Sequence, residues 1–215
     1  MGEPTAVGHH GHKQSLARWL FNPFQFVAGA TALCAGLGVM LATALLASAT
    51  GVHFDGVLDC HFADTGAPRW LHLGEVIVGW ACMGIILTVC GFLFSRSSFR
   101  IVDVFGTQAL ARAPYLVVAA VSLLAPVRNA VGELAAAAQT GDALSGIGTG
   151  AALLAGIALL VCLVMGIWMV ALMYRAYSVS CNLKGSKAIG SFIAGLIAAE
   201  IISKAVLWHL YRVTG

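Results

Sequence analysis

The chain has 215 residues, of which 60% are hydrophobic and 10% are charged, and its net charge is +3. Soluble domains carry about 25% charged residues, so this composition, with a mean hydropathy of +0.90, excludes a soluble globular fold. The positive charge is too small and too scattered to indicate nucleic acid as a partner, and the lipid bilayer is the expected surrounding.

The first 22 residues are predicted to form a polar cytoplasmic tail, which contains His9, His10 and His12. The stretch Trp19–Val52 then contains no Asp, Glu, Lys, Arg or His and exceeds the roughly 20 apolar residues that cross a bilayer. Four more apolar stretches follow. We therefore predict an all-α polytopic membrane protein with one membrane domain over residues 23–212. Its five predicted spans cover approximately residues 24–50, 73–95, 107–127, 147–174 and 188–211.

The third apolar stretch is the least regular of the five. Residues 101–111 include Asp103 and Gln108 and lead into Arg112, which predicts an amphipathic segment along the membrane interface. The long side chain of Arg112 can extend its guanidinium group to the lipid headgroups. Asp103 and Arg112 are accordingly predicted to be polar residues at the interface.

Basic residues concentrate on one side of this five-span arrangement. They precede the first predicted span, separate the second from the third, and follow the fourth: Lys13, Arg18, Arg96, Arg100, Arg112, Arg175, Lys184 and Lys187. The acidic residues of the connections fall on the other side: Asp55, Asp59, Asp64, Glu133 and Asp142. Because positive residues favour the cytoplasmic side, the N-terminus is predicted to be cytoplasmic and the C-terminus outside. The expected location is a cell membrane, which is the inner membrane in a bacterium.

Small residues recur at four-residue spacing in three of the predicted helices. These stripes are Ala28, Ala32 and Gly36; Gly148, Ala152 and Gly156; and Ser191, Gly195, Ala199 and Ser203. Small residues let helix backbones approach closely in a membrane. We expect helix contacts within one bundle, and a homo-oligomer seam or a contact with another membrane protein is the open alternative.

The fifth predicted span contains Glu200 and Lys204. Residues four apart share a helix face and can form an ion pair. Ionisable groups inside a span are costly and indicate function by default, although mutual pairing lowers their cost. We predict an intramembrane ion pair, with ion or proton handling as the alternative role.

The first outer connection is rich in possible metal ligands. His53, Asp55, Asp59, Cys60 and His61 offer nitrogen, oxygen and sulfur donors, and His72 and Glu75 follow them. Zinc and copper accept such donors, but the spacing matches no established metal motif. The hypothesis of a metal site in this connection stands beside the simpler interpretation of a solvated acidic loop, and no cofactor is expected.

Enzyme motifs are absent from the sequence. It contains no Gly-x-Ser-x-Gly elbow, no Walker loop and no His-Glu-x-x-His. Ser186–Lys187 and Ser203–Lys204 are adjacent pairs, which do not face each other on a helix. We expect a protein that is not an enzyme.

Two segments of the second half resemble a known family. Residues 101–106, Ile-Val-Asp-Val-Phe-Gly, and residues 109–115, Ala-Leu-Ala-Arg-Ala-Pro-Tyr, are similar to the start of the third span in prokaryotic Yip-type (Ypt-interacting) proteins. Trp168, with Ala171 and Leu172, and the polar loop to Lys187 resemble the fourth span and exit loop of that family. The resemblance covers about residues 96–211. It implies five spans, a cytoplasmic N-terminus and a scaffolding or organising role in the membrane, with a small transporter or permease component as the alternative.

Overall fold

The computed structural model describes residues 16–62, 68–140 and 147–214 of the chain, and their architecture is helical. The helices are α1 (Leu16–Phe21), α2 (Gly29–Thr50), α3 (Arg69–Phe94), α4 (Ile101–Leu110), α5 (Ala113–Val121), α6 (Ala125–Thr140), α7 (Thr149–Ser180) and α8 (Gly185–Thr214). A short 3-10 turn occupies Pro23–Gln25, and two short strands, β1 (Val52–His53) and β2 (His61–Phe62), pair antiparallel. The histidines of the N-terminal tail lie outside the described residues.

Five stretches of the described residues are long and apolar enough to cross a membrane: Gly29–Thr50, Arg69–Phe94, Ile101–Val121, Thr149–Ser180 and Gly185–Val213. Their outward surfaces are apolar, since Leu93 is 71% exposed, Leu153 67% and Ile201 64%. Isolated exposed Leu is ordinary in any protein, but a continuous apolar surface is the mark of a contact with lipid or another protein. The structure therefore supports a membrane-embedded protein with five spans.

The third span, Ile101–Val121, begins earlier than the sequence indicates and is the most buried of the five. It consists of α4 and α5, which are interrupted at Ala111–Arg112. Pro114 lacks the N–H that would bond to the carbonyl four residues earlier, which favours this break. The expected interfacial segment is instead part of the bundle, because the side chain of Gln108 donates to the Met173 carbonyl at 2.9 Å and Thr107 contacts Ser180 at 2.9 Å.

The small-residue stripes of α2 and α8 make the predicted contacts within the bundle. A Cβ on Gly36 of α2 would lie 2.5 Å from the Cβ of Ala109 on α4, and Gly195 of α8 packs against Leu87 of α3. The prediction is wrong for α7, where Gly148 and Gly156 are exposed and have open space around them. α7 faces the bundle with a different side, which includes the buried Met169 and Met173.

The two basic connections lie at the same end of the bundle. Ser95, after α3, donates its hydroxyl to the Cys181 carbonyl at 2.7 Å, and the amide of Asn182, after α7, donates to Ser97 at 3.0 Å. The acidic connection between α2 and α3 lies at the other end. A chain with five spans is expected to place its basic and acidic connections at opposite ends of the bundle in this way.

The connection between α2 and α3 folds back into the bundle as a hairpin, residues 52–62, which we call the inserted hairpin. Val52, Phe54 and Val57 are fully buried, and the Phe54 ring stacks on Tyr115 of α5 with centroids 4.6 Å apart. At its tip, the Gly56 carbonyl contacts Gly79 of α3, about 15 Å along that helix from Arg69 at 1.5 Å per residue. The expected solvated loop thus buries its apolar residues Val52, Phe54 and Val57 in the protein core, whereas Leu58 and His61 stay partly exposed.

Candidate functional site

Glu200 of α8 holds the tip of the inserted hairpin. One carboxylate oxygen, Oε2, accepts the backbone N–H groups of Val57 at 2.8 Å and Leu58 at 2.9 Å. The other oxygen, Oε1, lies 3.5 Å from Nζ of Lys204. Gly56, with φ +129°, turns the chain here, and a side chain at Gly56 would press on the Glu200 carboxylate. Irregular backbone at membrane depth is tolerated only where its polar groups find partners in the protein, and Glu200 supplies that partner.

One face of α8 carries three polar contacts to the hairpin. Glu200 is joined by Lys204, whose Nζ lies 2.6 Å from Oδ2 of Asp59, and by Tyr211, whose hydroxyl bonds to Asp55. Spacings of four and seven residues keep these side chains on one side of a helix. The polar stripe thus attaches the C-terminal half of α8 to the hairpin.

A second carboxylate, Glu75 of α3, lies fully buried beneath the base of the hairpin. Its Oε2 accepts the Phe54 N–H at 2.9 Å, and its Oε1 lies 2.7 Å from Nδ1 of His53 and 2.7 Å from the Tyr211 hydroxyl. A buried carboxylate needs such hydrogen bonds to offset its lost hydration. Glu75 therefore joins three elements: the hairpin, α3 and α8.

His72 completes this buried group, which we call the His–Glu cluster: His53, His72 and Glu75. The His53 and His72 rings are 4.5 Å apart, and His72 is 3% exposed. One ligand atom from each of the three residues lies within 4.8 Å of the other two. The residue types and the spacing can hold a divalent metal ion or a shared proton.

Arg112 contradicts the interfacial prediction. It is 3% exposed, and its Nε and Nη2 have no hydrogen-bond partner within the described structure. The side chain lies near Tyr115, Cys82 and Glu200, because the break between α4 and α5 places it inside the bundle. Asp103 pairs with Arg100 at 2.9 Å, so the two predicted interfacial residues occupy separate places.

Two thiols in the connections are held in the protonated form. A hydrogen bond to Cys162 and burial raise the pKa of the Cys60 thiol, and burial raises the pKa of Cys181 to about 12. Because the thiolate is the nucleophile, neither residue is activated for covalent catalysis.

The structure brings together some of the residues predicted as a site. Glu200 and Lys204 lie side by side, and Asp59 joins them. The five suggested metal ligands are divided: His53 enters the His–Glu cluster, His61 lies 3.7 Å from Asp55, Asp59 binds Lys204, and Cys60 contacts Cys162. No single ion could bind the predicted set of five in this arrangement.

Sequence reasoning left Glu75, His72 and Tyr211 outside its predicted site. The available signal for Glu75 was its position as the one acidic residue between Arg69 and Phe94, since ionisable groups in spans mark functional sites. His72 precedes it by three residues, on the same helix face. Tyr211 resembles an ordinary interfacial aromatic residue, and only the folded hairpin reveals its contact.

Comparison of the chain with models of protein families, with curated proteins and with solved structures gives no match. The contacts of the described residues are therefore the basis for assigning a role.

Proposed function

We propose that this chain is a non-enzymatic integral membrane protein that acts as a scaffold or organiser, as its resemblance to Yip-type proteins implies. The observation that carries the proposal is the engagement of both span carboxylates, Glu75 and Glu200, with the backbone of the inserted hairpin. A transporter needs ionisable groups along a polar path near the middle of the membrane. Here these groups serve the internal architecture.

The proposed orientation places the basic end of the bundle in the cytoplasm. Arg96, Arg100, Arg175, Lys184 and Lys187 belong to that end, and the inserted hairpin with Asp55 and Asp59 belongs to the other. This arrangement satisfies the preference of positive residues for the cytoplasmic side. An epitope before Met1 should be accessible to antibody only in inverted membrane vesicles, and access in intact cells would contradict this orientation.

Cross-linking and flux measurements test the scaffold against the transporter. In intact cells, a short photo-cross-linker whose reaction needs neither lysine nor cysteine side chains should trap the chain in discrete complexes. These complexes should contain other membrane proteins or a second copy of the chain. In liposomes, the purified chain should give proton and cation flux equal to that of protein-free vesicles. Flux that requires the chain and disappears in Glu200→Gln would overturn the proposal in favour of a transporter, as would an exclusively monomeric chain in cells.

A further inference from the structure

One buried nitrogen of the His–Glu cluster has no hydrogen-bond partner. Nδ1 of His72 is buried without a hydrogen-bond partner and lies 3.7 Å from Oε2 of Glu75. The ring bonds to the backbone of Val52, and by elimination this bond uses the other nitrogen, Nε2. A neutral ring that donates through Nε2 presents a lone pair at Nδ1. A nitrogen lone pair and a carboxylate oxygen thus face each other across a gap that suits a cation.

The neighbouring contacts of Tyr211 include more carboxylate acceptors than donor hydrogens. Its hydroxyl lies between Oε1 of Glu75 and Oδ1 of Asp55. A tyrosine hydroxyl has one hydrogen and cannot donate to both carboxylates at once. One oxygen of Glu75 or Asp55 therefore lacks a hydrogen from Tyr211, which leaves negative charge beside the His–Glu cluster.

We propose that His53, His72 and Glu75 bind a divalent transition-metal ion, with zinc as the expected occupant. Two imidazoles and one carboxylate form a ligand set that zinc accepts, with ligand atoms about 2.0–2.2 Å from the metal and therefore about 3.3–3.6 Å from one another. The separations of 2.7 Å between His53 Nδ1 and Glu75 Oε1 and of 3.7 Å between His72 Nδ1 and Glu75 Oε2 bracket that range. Small movements of the side chains bring the three ligands around one ion.

The metal ion joins the base of the inserted hairpin to α3. His53 belongs to β1, whereas His72 and Glu75 belong to the first two turns of α3. The bond of His72 to the Val52 backbone fixes its ring, as the outer hydrogen bonds of metal-binding histidines ordinarily do. Metal binding to the folded chain alone stabilises it by mass action, so zinc should raise the temperature of unfolding.

The test is zinc binding by the full chain, purified in detergent without a polyhistidine tag. Because the tail histidines could also bind metal, all proteins carry His9→Ala, His10→Ala and His12→Ala. After chelator treatment and equilibrium dialysis against zinc, elemental analysis should find about one zinc per chain. In the same dialysis, carried out over a series of free zinc concentrations, His72→Gln should bind zinc at least about tenfold more weakly, because the loss of even an outer hydrogen-bond partner of a ligand costs about 10–100-fold in metal affinity. His209→Ala, an exposed histidine of α8, is the matched control and should keep the original affinity.

Cobalt provides a readout that does not depend on a variant. After Co²⁺ is added to the metal-free protein in which His53, His72 and Glu75 are unchanged, the protein should show the visible absorption of tetrahedral Co²⁺. Added zinc should displace the cobalt and remove this absorption. This spectrum decides the question if His72→Gln fails to fold. Zinc retention below about 0.1 per chain, equal zinc affinity in His72→Gln, or cobalt bound without a tetrahedral spectrum would each overturn the proposal.

Discussion

Replacing Glu200 by alanine is expected to lower the free energy of unfolding by about 2–4 kcal/mol. The variant leaves the N–H groups of Val57 and Leu58 without their acceptor and removes a partner of Lys204. Hydrogen bonds to a charged group contribute about 1.5–3 kcal/mol each, and a buried unpaired donor costs about 1–3 kcal/mol. For a chain of this size the unfolding temperature should fall by about 5–15 °C, as measured by thermal unfolding in detergent.

The controls for Glu200→Ala separate a local role from a general effect of lost charge. Glu133→Ala removes an exposed carboxylate from α6 and should change the stability by no more than about 0.5 kcal/mol. Glu200→Gln keeps one oxygen for the hairpin amides and should lose less stability than Glu200→Ala. If Glu200→Ala unfolds at the same temperature as Glu133→Ala, Glu200 does not hold the hairpin.

Replacing Gly79 by alanine is the second change with a large expected effect. A Cβ at this position would overlap the Gly56 carbonyl oxygen and lie 3.5 Å from Nη1 of Arg112. The obstructing atom belongs to the backbone and cannot rotate away, so the hairpin tip must shift and weaken its bonds to Glu200. Overpacking of this kind costs about 1–3 kcal/mol, measured as the loss of unfolding free energy.

Gly74→Ala is the matched control on the same helix. There the nearest atom to a new Cβ would be Cδ2 of Leu210 at 3.5 Å, which is ordinary contact. Alanine favours a helix over glycine by about 1 kcal/mol, so Gly74→Ala should be neutral or stabilising. Equal stability of Gly79→Ala and Gly74→Ala would mean that the hairpin does not contact α3 at this depth.

The number of membrane-spanning segments follows from the sequence because the bilayer imposes a simple rule. Long stretches without charge, such as Trp19–Val52, have no alternative to a helix across the hydrocarbon core. The pairing of Glu200 with Lys204 was likewise accessible, because four-residue spacing fixes their geometry. The first spanning helix, α2, begins at Gly29 rather than near Phe24, since Gly29 has φ +60° and the preceding Ala28 is extended.

The buried position of the inserted hairpin could not be predicted from the sequence in the same way. The aspartates and histidines of the hairpin indicate a solvated loop, and its apolar residues Val52, Phe54 and Val57, which are buried in the structure, follow no strict alternation. Its position depends on two carboxylates from helices that are distant in the sequence. Arg112 was misplaced for a related reason, because a charged residue beside a span suggests the interface until the packing of α4 and α5 is known.

The central claim is that the inserted hairpin is part of the bundle and is held by Glu75 and Glu200. Hydrogen–deuterium exchange in this hairpin tests the claim most directly. In lipid nanodiscs, the amides of Phe54, Val57 and Leu58 should exchange about 10³-fold more slowly than in an unstructured peptide, as expected where exchange needs a local opening of about 4 kcal/mol. The slowing should disappear for Val57 and Leu58 in Glu200→Ala. Complete exchange within seconds in the unsubstituted protein would contradict the account.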